Sequence, residues 1–297
     1  MANSIAQAKK YTTYLDEVYK RGLTSDVLSI PQELVRDGQN AGEVLLPKIA
    51  LDGLGDYDRA TGYPTGSVNF SWETHTLTQD RGVEFTIDRQ DDLQALDSVF
   101  TFTASQFSKQ EVVPELDAYR YAQIASNAGT TVNADLSTTD TVEAIETAIV
   151  ELENNEVSKE GMRLFMTPQI YSNIRNSDLF QRDVMNIGDR TFDTYDNIPI
   201  VKVPQGRFYT GITLNDGSST FGYTATTGGT DYELNFLLVH DAAVLPIVKQ
   251  RQLKVFDPDT NQSTDGWLMQ SRVYHDIFIP DNKTVGIYAH TKATAIV

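Results

Sequence analysis

Cysteine is absent from the 297 residues, which excludes disulfides, Cys-ligated zinc, iron–sulfur clusters and Cys nucleophiles. Histidine occurs only at His75, His240, His275 and His290, and no pair has the HExxH or H-x-H spacing of a metal site. Neither a Gly-x-Ser-x-Gly elbow, a Walker phosphate loop nor a Gly-x-Gly-x-x-Gly turn is present. No nucleophile–base set can be named, so no enzyme activity is expected. The longest apolar runs, such as Phe236–Val239 and Ala242–Val248, are far too short to span a bilayer, and no membrane partner is expected. Residues 1–11 lack the apolar core of a signal peptide, so the expectation is a chain made and folded in a cytosol. Positive charge is scarce: 24 Lys and Arg against 41 Asp and Glu leave a formal charge of −17, with a sequence pI near 4.5. Such a surface repels phosphate, which argues against nucleic-acid reading.

What is present suits a sizeable globular core, with 40% hydrophobic and 22% charged residues. The acid is concentrated in the middle third. Residues 49–160 hold 6 basic and 21 acidic groups, whereas residues 161–297 hold 12 and 14. Residues 1–47 have weak periodicity. Leu23, Val27, Leu28, Ile30, Leu34 and Val35 could cover a surface but hardly close a core, so this stretch reads either as an arm packed on something else or as a helix pair.

Glu43–Leu51 and Ser67–Leu77 read as strands, with Val68, Phe70 and Trp72 alternating with polar residues. Between them, Gly53–Gly66 holds four glycines and a proline, which predicts a long flexible hairpin tip that lies on a neighbour. Val83, Phe85 and Ile87 mark a further strand.

Leu93, Leu96, Val99 and Phe100 have helical spacing. Pro114 then either opens a second helix, with Ala118, Tyr121, Ala122 and Ala125 on one face, or kinks one long helix. Asp140-Thr-Val-Glu143 looks like a capping box before an amphipathic helix. Its stripe is Val142, Ile145, Ile149 and Leu152, with Glu143, Glu146, Glu151 and Glu153 facing solvent. Arg163–Met166 and Ile198–Val203 read as strands, Thr167-Pro168 as a helix start, and residues 210–232 as loop. From Leu234 onward β segments dominate. The order indicates an α+β protein.

Two constellations carry side chains capable of chemistry. Asp257, Asp259, Asn261 and Asp265 place oxygens at alternate positions, as in the first half of a calcium loop. However, Gln262 stands where the turn glycine is needed and Leu268 where the bidentate Glu is needed, so an Asp/Asn/Pro turn is the favoured reading. His240-Asp241 and His275-Asp276 are sequence neighbours that point to opposite strand faces, and they read as solvated or capping groups.

Several stretches, taken in order, resemble the major capsid proteins of tailed bacteriophages with the Hong Kong 97 fold, in the version found in siphophages of Gram-positive hosts. They are Val112-Val-Pro-Glu-Leu-Asp-Ala-Tyr-Arg120, Asn197-Ile-Pro-Ile-Val201, Leu238-Val-His-Asp-Ala-Ala243, Phe256-Asp-Pro258 with Asp265-Gly-Trp267, and Arg272-Val-Tyr-His-Asp276 followed by Asn282-Lys283. The resemblance implies an N-terminal arm at 1–47 and an extended loop (E-loop) at 48–90. It implies a peripheral domain with a spine helix and P-loop at 91–130 and 241–276, and an axial domain at 131–240 and 277–297.

It further implies a non-enzymatic shell protein without cofactors, located in the virion and assembled in the host cytoplasm as hexamers and pentamers around double-stranded DNA. Its partners would be a separate scaffolding protein, a portal and decoration proteins. Subunit contacts would fall on Asp56, Tyr57, Arg59 and Tyr63 of the E-loop and on Asp257, Asp259 and Asp265 of the P-loop. Two departures stand out. No long scaffolding domain fits ahead of the arm, and no Lys lies between Lys48 and Lys109, so the E-loop tip lacks the amine of the archetype's cross-link. An encapsulin-like nanocompartment shares the fold, and an acidic calcium-dependent β-rich adhesin or carbohydrate binder is a further alternative.

Overall fold

A computed structural model describes residues 22–28, 36–37, 42–89, 106–177, 183–187, 190–227, 229 and 231–296. Along the chain run β1 (Arg36–Asp37), β2 (Glu43–Leu51), β3 (Val68–Thr76), β4 (Gln79–Asp88), α1 (Val113–Ser126), β5 (Thr130–Asn133), α2 (Thr138–Asn154), β6 (Met162–Met166) and α3 (Pro168–Arg175). There follow β7 (Asp183–Ile187), β8 (Arg190–Tyr195), β9 (Ile198–Lys202), β10 (Ile212–Leu214), β11 (Tyr223–Ala225), β12 (Tyr232–His240), β13 (Leu245–Phe256), β14 (Gly266–Phe278) and β15 (Ile287–Ala295).

A wide π-helical turn, Ser108–Val112, runs into α1 without a break, and Pro114 occupies the first turn of α1. The proline lacks an N–H to donate, and the wider turn ahead of it absorbs the displaced hydrogen bonding. The first-turn reading of Pro114 therefore holds, with helical structure continuing ahead of it from Ser108. The apolar spacing at Leu93, Leu96, Val99 and Phe100 lies outside the described residues, as do Ile30, Leu34 and Val35 of the N-terminal stretch.

α2 starts earlier than expected. Its cap is Ser137, whose Oγ accepts from the Asp140 amide at 3.3 Å and donates to the Asp140 carboxylate at 2.6 Å. The capping box is thus Ser137-x-x-Asp140, and Asp140-x-x-Glu143 is already helix interior. Thr167 caps α3 by accepting from the Ile170 amide at 3.4 Å, with Pro168 in the first turn. Residues 210–232 are not all loop, since Ile212–Leu214 pairs with Tyr223–Ala225 as a short antiparallel ribbon.

The main sheet has seven strands in the order β5-β15-β12-β6-β9-β8-β7, mixed in direction, with β15–β5 and β6–β9 parallel. Alternation along each strand sends side chains to two cores. Phe165, Leu237, Val239 and Ile287 pack with Tyr121 and Ile124 of α1. Leu164, Phe236, Leu238 and Tyr288 pack with Ile145, Ile149 and Leu152 of α2 and Ile174 of α3. Burial on both faces explains why Asn235–Val239 reads as a continuous apolar run after its first residue. α1 itself is buried nearly all round, including Asp117 and Arg120. The second sheet, β13-β14-β4, holds the end of the hairpin arm and the 257–266 loop.

On α2 the expected stripe is buried, and Glu143, Glu146 and Glu153 are exposed, whereas Glu151 is half-buried. Ile149→Asp is expected to lower unfolding free energy by about 3 kcal/mol or more, by burying an unpaired carboxylate. Glu153→Ala should change it by less than about 0.5 kcal/mol. Urea midpoints that move equally for the two variants would contradict this packing.

Candidate functional site

The feature that leaves the body of the fold is the β2–β3 hairpin. Its ladder runs in register from Glu43 opposite Thr76 to Leu51 opposite Val68, about 30 Å at ~3.4 Å per residue. Ile49 and Leu51 lie opposite Phe70 and Val68, so one face collects four apolar side chains. They are 60%, 68%, 53% and 73% exposed. Phe70 meets Trp72 edge to face at 5.5 Å, and the Arg36 guanidinium of β1 lies 4.5 Å from the Trp72 ring centre. The base is anchored, where Val44, Leu46 and Leu77 are buried against Leu245. A contiguous apolar face of this kind on a projection marks a surface that is covered in the working state.

The tip is more built than its glycines suggest. At the neck, Asp52 accepts from the Ser67 amide and hydroxyl, each at 2.7 Å, which holds its carboxyl below the usual range. Further out, Asp58 and Gly62 bridge through mutual backbone hydrogen bonds. Asp58 also accepts from the Ala60 amide at 2.9 Å, with Gly62 at φ +86° closing the turn. Around this turn Asp56, Tyr57, Arg59 and Tyr63 are all exposed, the two tyrosine rings 4.8 Å apart, and Leu54 is fully exposed.

The hairpin base is held by a carboxylate. Asp276 accepts from the Thr78 amide at 2.8 Å, the Thr78 hydroxyl at 2.9 Å and the Tyr119 hydroxyl of α1 at 2.8 Å. His275 beside it packs edge-on to Tyr119, with ring centres 5.4 Å apart. Both members of this pair are buried, which corrects the expectation of solvated groups. Their partners arrive from other elements and desolvate them. The other pair behaves as a cap: His240 accepts from the Ala242 amide at 3.1 Å, and Asp241 pairs with Arg163 at 2.7 Å.

Burial, and then the nearby Arg120 charge, pull the pKa of His275 down to about 4; burial does the same to His290. Unfolded, each returns to 6.5. The unfolded chain therefore binds more protons between these values, so stability is full above pH ~6.5 and falls as pH drops toward ~4. Each histidine contributes at most about 3 kcal/mol to that loss. Urea midpoints at pH 7 and pH 4.5 should lie closer together in His290→Gln than in the parent chain. An unchanged gap would rule the histidine out as a source.

The 257–266 loop turns between β13 and β14. Asp257 caps it, accepting from the Thr260 amide at 3.2 Å, and Asn261 donates to the Gly266 carbonyl at 2.8 Å. Arg89, at the end of β4, reaches Asp259 at 2.5 Å and Asp265 at 3.6 Å. A guanidinium of the same chain thus neutralises two of the four candidate calcium ligands. Among the described residues no group of three or more His, Asp or Glu is placed to hold a metal.

Sequence reasoning missed a fully buried polar node. Asp117 of α1, fully buried, accepts from the Thr24 amide at 3.0 Å, the Thr24 hydroxyl at 2.8 Å, the Ser25 amide at 3.0 Å and Arg207 at 3.1 Å. Arg120 donates to the Ser25 hydroxyl at 2.9 Å, and Leu28 enters the core beneath α1. The described part of the N-terminal stretch is therefore fastened to its own subunit. The available signal was a helix with charges but no polar face.

No protein-family model and no curated protein matches the sequence. Solved structures do. A chain of Mycobacterium phage Che8 superposes with a TM-score of 0.64 at 12% identity, covering 98% of each chain. A chain of the capsid structure of cyanophage P-SCSP1u gives 0.65 at 14%, covering 97% of this chain and 93% of the other. A chain of the mature capsid of bacteriophage PhiM1 gives 0.61 at 10%, covering 98% and 92%. At such identities the likeness is one of fold, and it runs nearly end to end.

Proposed function

We propose that this chain, which has the Hong Kong 97-like α+β capsid fold, is a structural major capsid protein of a tailed bacteriophage. Its copies would assemble as hexamers and pentamers into an icosahedral head that encloses double-stranded DNA. The observation that carries this reading is end-to-end likeness to phage capsid chains in a molecule whose hairpin keeps a long apolar face uncovered. In this reading 1–47 is the arm and 48–90, with most of the β2–β3 hairpin and β4, is the extended loop. Residues 91–130 and 241–276 would form the peripheral domain, and 131–240 with 277–297 the axial domain.

The hairpin tip residues Asp56, Tyr57, Arg59 and Tyr63 and the loop residues Asp257, Asp259 and Asp265 would meet neighbouring subunits. A charge of −17 suits a container that must not grip its DNA. Scaffolding, portal and decoration proteins would be supplied separately. Electron microscopy of the chain expressed with its neighbouring genes tests the proposal. Regular shells support it, and soluble monomers under every condition would reject it. Shells loaded with an enzyme in place of DNA would point to a nanocompartment.

Covalent cross-linking through the hairpin tip is not expected, because residues 49–108 contain no lysine. Boiled, denatured particles should therefore migrate at the 33.1 kDa of one chain. A ladder of multimers on the gel would contradict this.

A further inference from the structure

Two segments dock on a single turn of α1: residues 22–28 of the N-terminal stretch and the base of the β2–β3 hairpin. On one side Asp117 takes the amides of Thr24 and Ser25, and Tyr121 donates to the Thr24 hydroxyl at 2.9 Å. On the other side Tyr119 donates to Asp276, the carboxylate that also holds Thr78 at the hairpin base. Arg120 stands between the two. Its guanidinium binds Ser25, its charge reaches His275, and it is 5% exposed. Its Nε and the Nδ1 of His275 are both buried without a hydrogen-bond partner among the described residues.

We infer that the turn Asp117–Tyr121 couples the two segments, so that how the N-terminal stretch is held sets how firmly the hairpin base is held, and the reverse. The physical basis is a rigid helical turn in a close-packed core, where Arg120, bound to Ser25, and Tyr119, bound to Asp276 and packed on His275, are consecutive residues that cannot shift independently. Buried polar groups resist intermediate positions, because each lost hydrogen bond leaves an orphan. Such coupling must be reciprocal.

Hydrogen exchange on the unassembled full-length chain tests this with two mild variants. Ser25→Ala removes the acceptor of Arg120, and Thr78→Ala removes one donor to Asp276 at an exposed residue. Ser25→Ala should speed exchange at the Leu77 and Thr78 amides, and Thr78→Ala should speed it at Thr24–Leu28, each by about fivefold. Ile149→Val, which weakens the other core, should speed neither. The inference is overturned if each variant loosens only its own segment, or if Ile149→Val loosens both as much. Because no shell is needed, the result stands apart from the capsid reading.

Discussion

Replacing Gly53–Gly66 by a two-residue Asn-Gly turn is expected to give a subunit that unfolds like the parent chain and forms no regular shells. The tip can be removed cleanly because its hydrogen bonds are local. Asp52 is bound to Ser67, and Asp58 to Gly62, Ala60 and Thr61, while the ladder still closes at Leu51 opposite Val68. No described residue of the body is bonded to the tip, so the urea midpoint should hold.

Assembly loses far more. Leu54, Tyr57 and Tyr63 are 107%, 58% and 88% exposed in the single chain. Covering one large apolar side chain contributes about 1.5–3 kcal/mol, and each ~1.4 kcal/mol changes an association constant tenfold. Losing the tip at every contact of a closed shell should therefore raise the concentration needed for assembly by more than about tenfold. Ile49→Ser with Phe70→Ser, which keeps the tip but breaks the apolar face, separates the two surfaces. Normal shells from the tip deletion would end the assignment of this hairpin to subunit contacts.

The hairpin was legible because its signals are local. Glu43–Leu51 is the observed strand, and Ser67–Leu77 shortens only to Val68–Thr76. Alternation and a glycine cluster are properties of neighbouring residues and need no knowledge of the rest of the chain. The stripe of α2 was legible for the same reason. What could not be read is what depends on distant partners. β15 enters the sheet between β5 and β12, and the parallel β15–β5 pairing joins residues far apart in sequence.

The same holds for buried charge. Asp117 finds Thr24 across 93 residues, and Asp276 finds Thr78 across 198 and Tyr119 across 157. A carboxylate in a sequence reads as solvated until its donors are known, which is why His275-Asp276 reads from sequence as a solvated or capping pair. At 257–266 the acidic spacing was plain, but the decisive group, Arg89, lies just past the end of β4, far away in sequence.

Asp117→Ala should be the most damaging single change in the described polar network. Every group around that carboxylate is a donor: the Thr24 amide and hydroxyl, the Ser25 amide and the Arg207 guanidinium. With the carboxylate gone, the Arg207 side chain, itself 6% exposed, loses the Asp117 pairing inside the fold. Breaking a buried pair from one side costs about 3–5 kcal/mol, against total stabilities of about 5–15 kcal/mol. Asp117→Asn keeps the shape but turns an amide N–H toward these donors, so it should recover only part of the loss. Thr24→Val removes one hydroxyl and should cost about 1 kcal/mol. The expected order of urea midpoints is therefore parent, Thr24→Val, Asp117→Asn, Asp117→Ala. In the last variant the 22–28 segment should become open to protease before the rest of the chain. A midpoint for Asp117→Ala within error of the parent would mean that the N-terminal stretch is held by something other than this node.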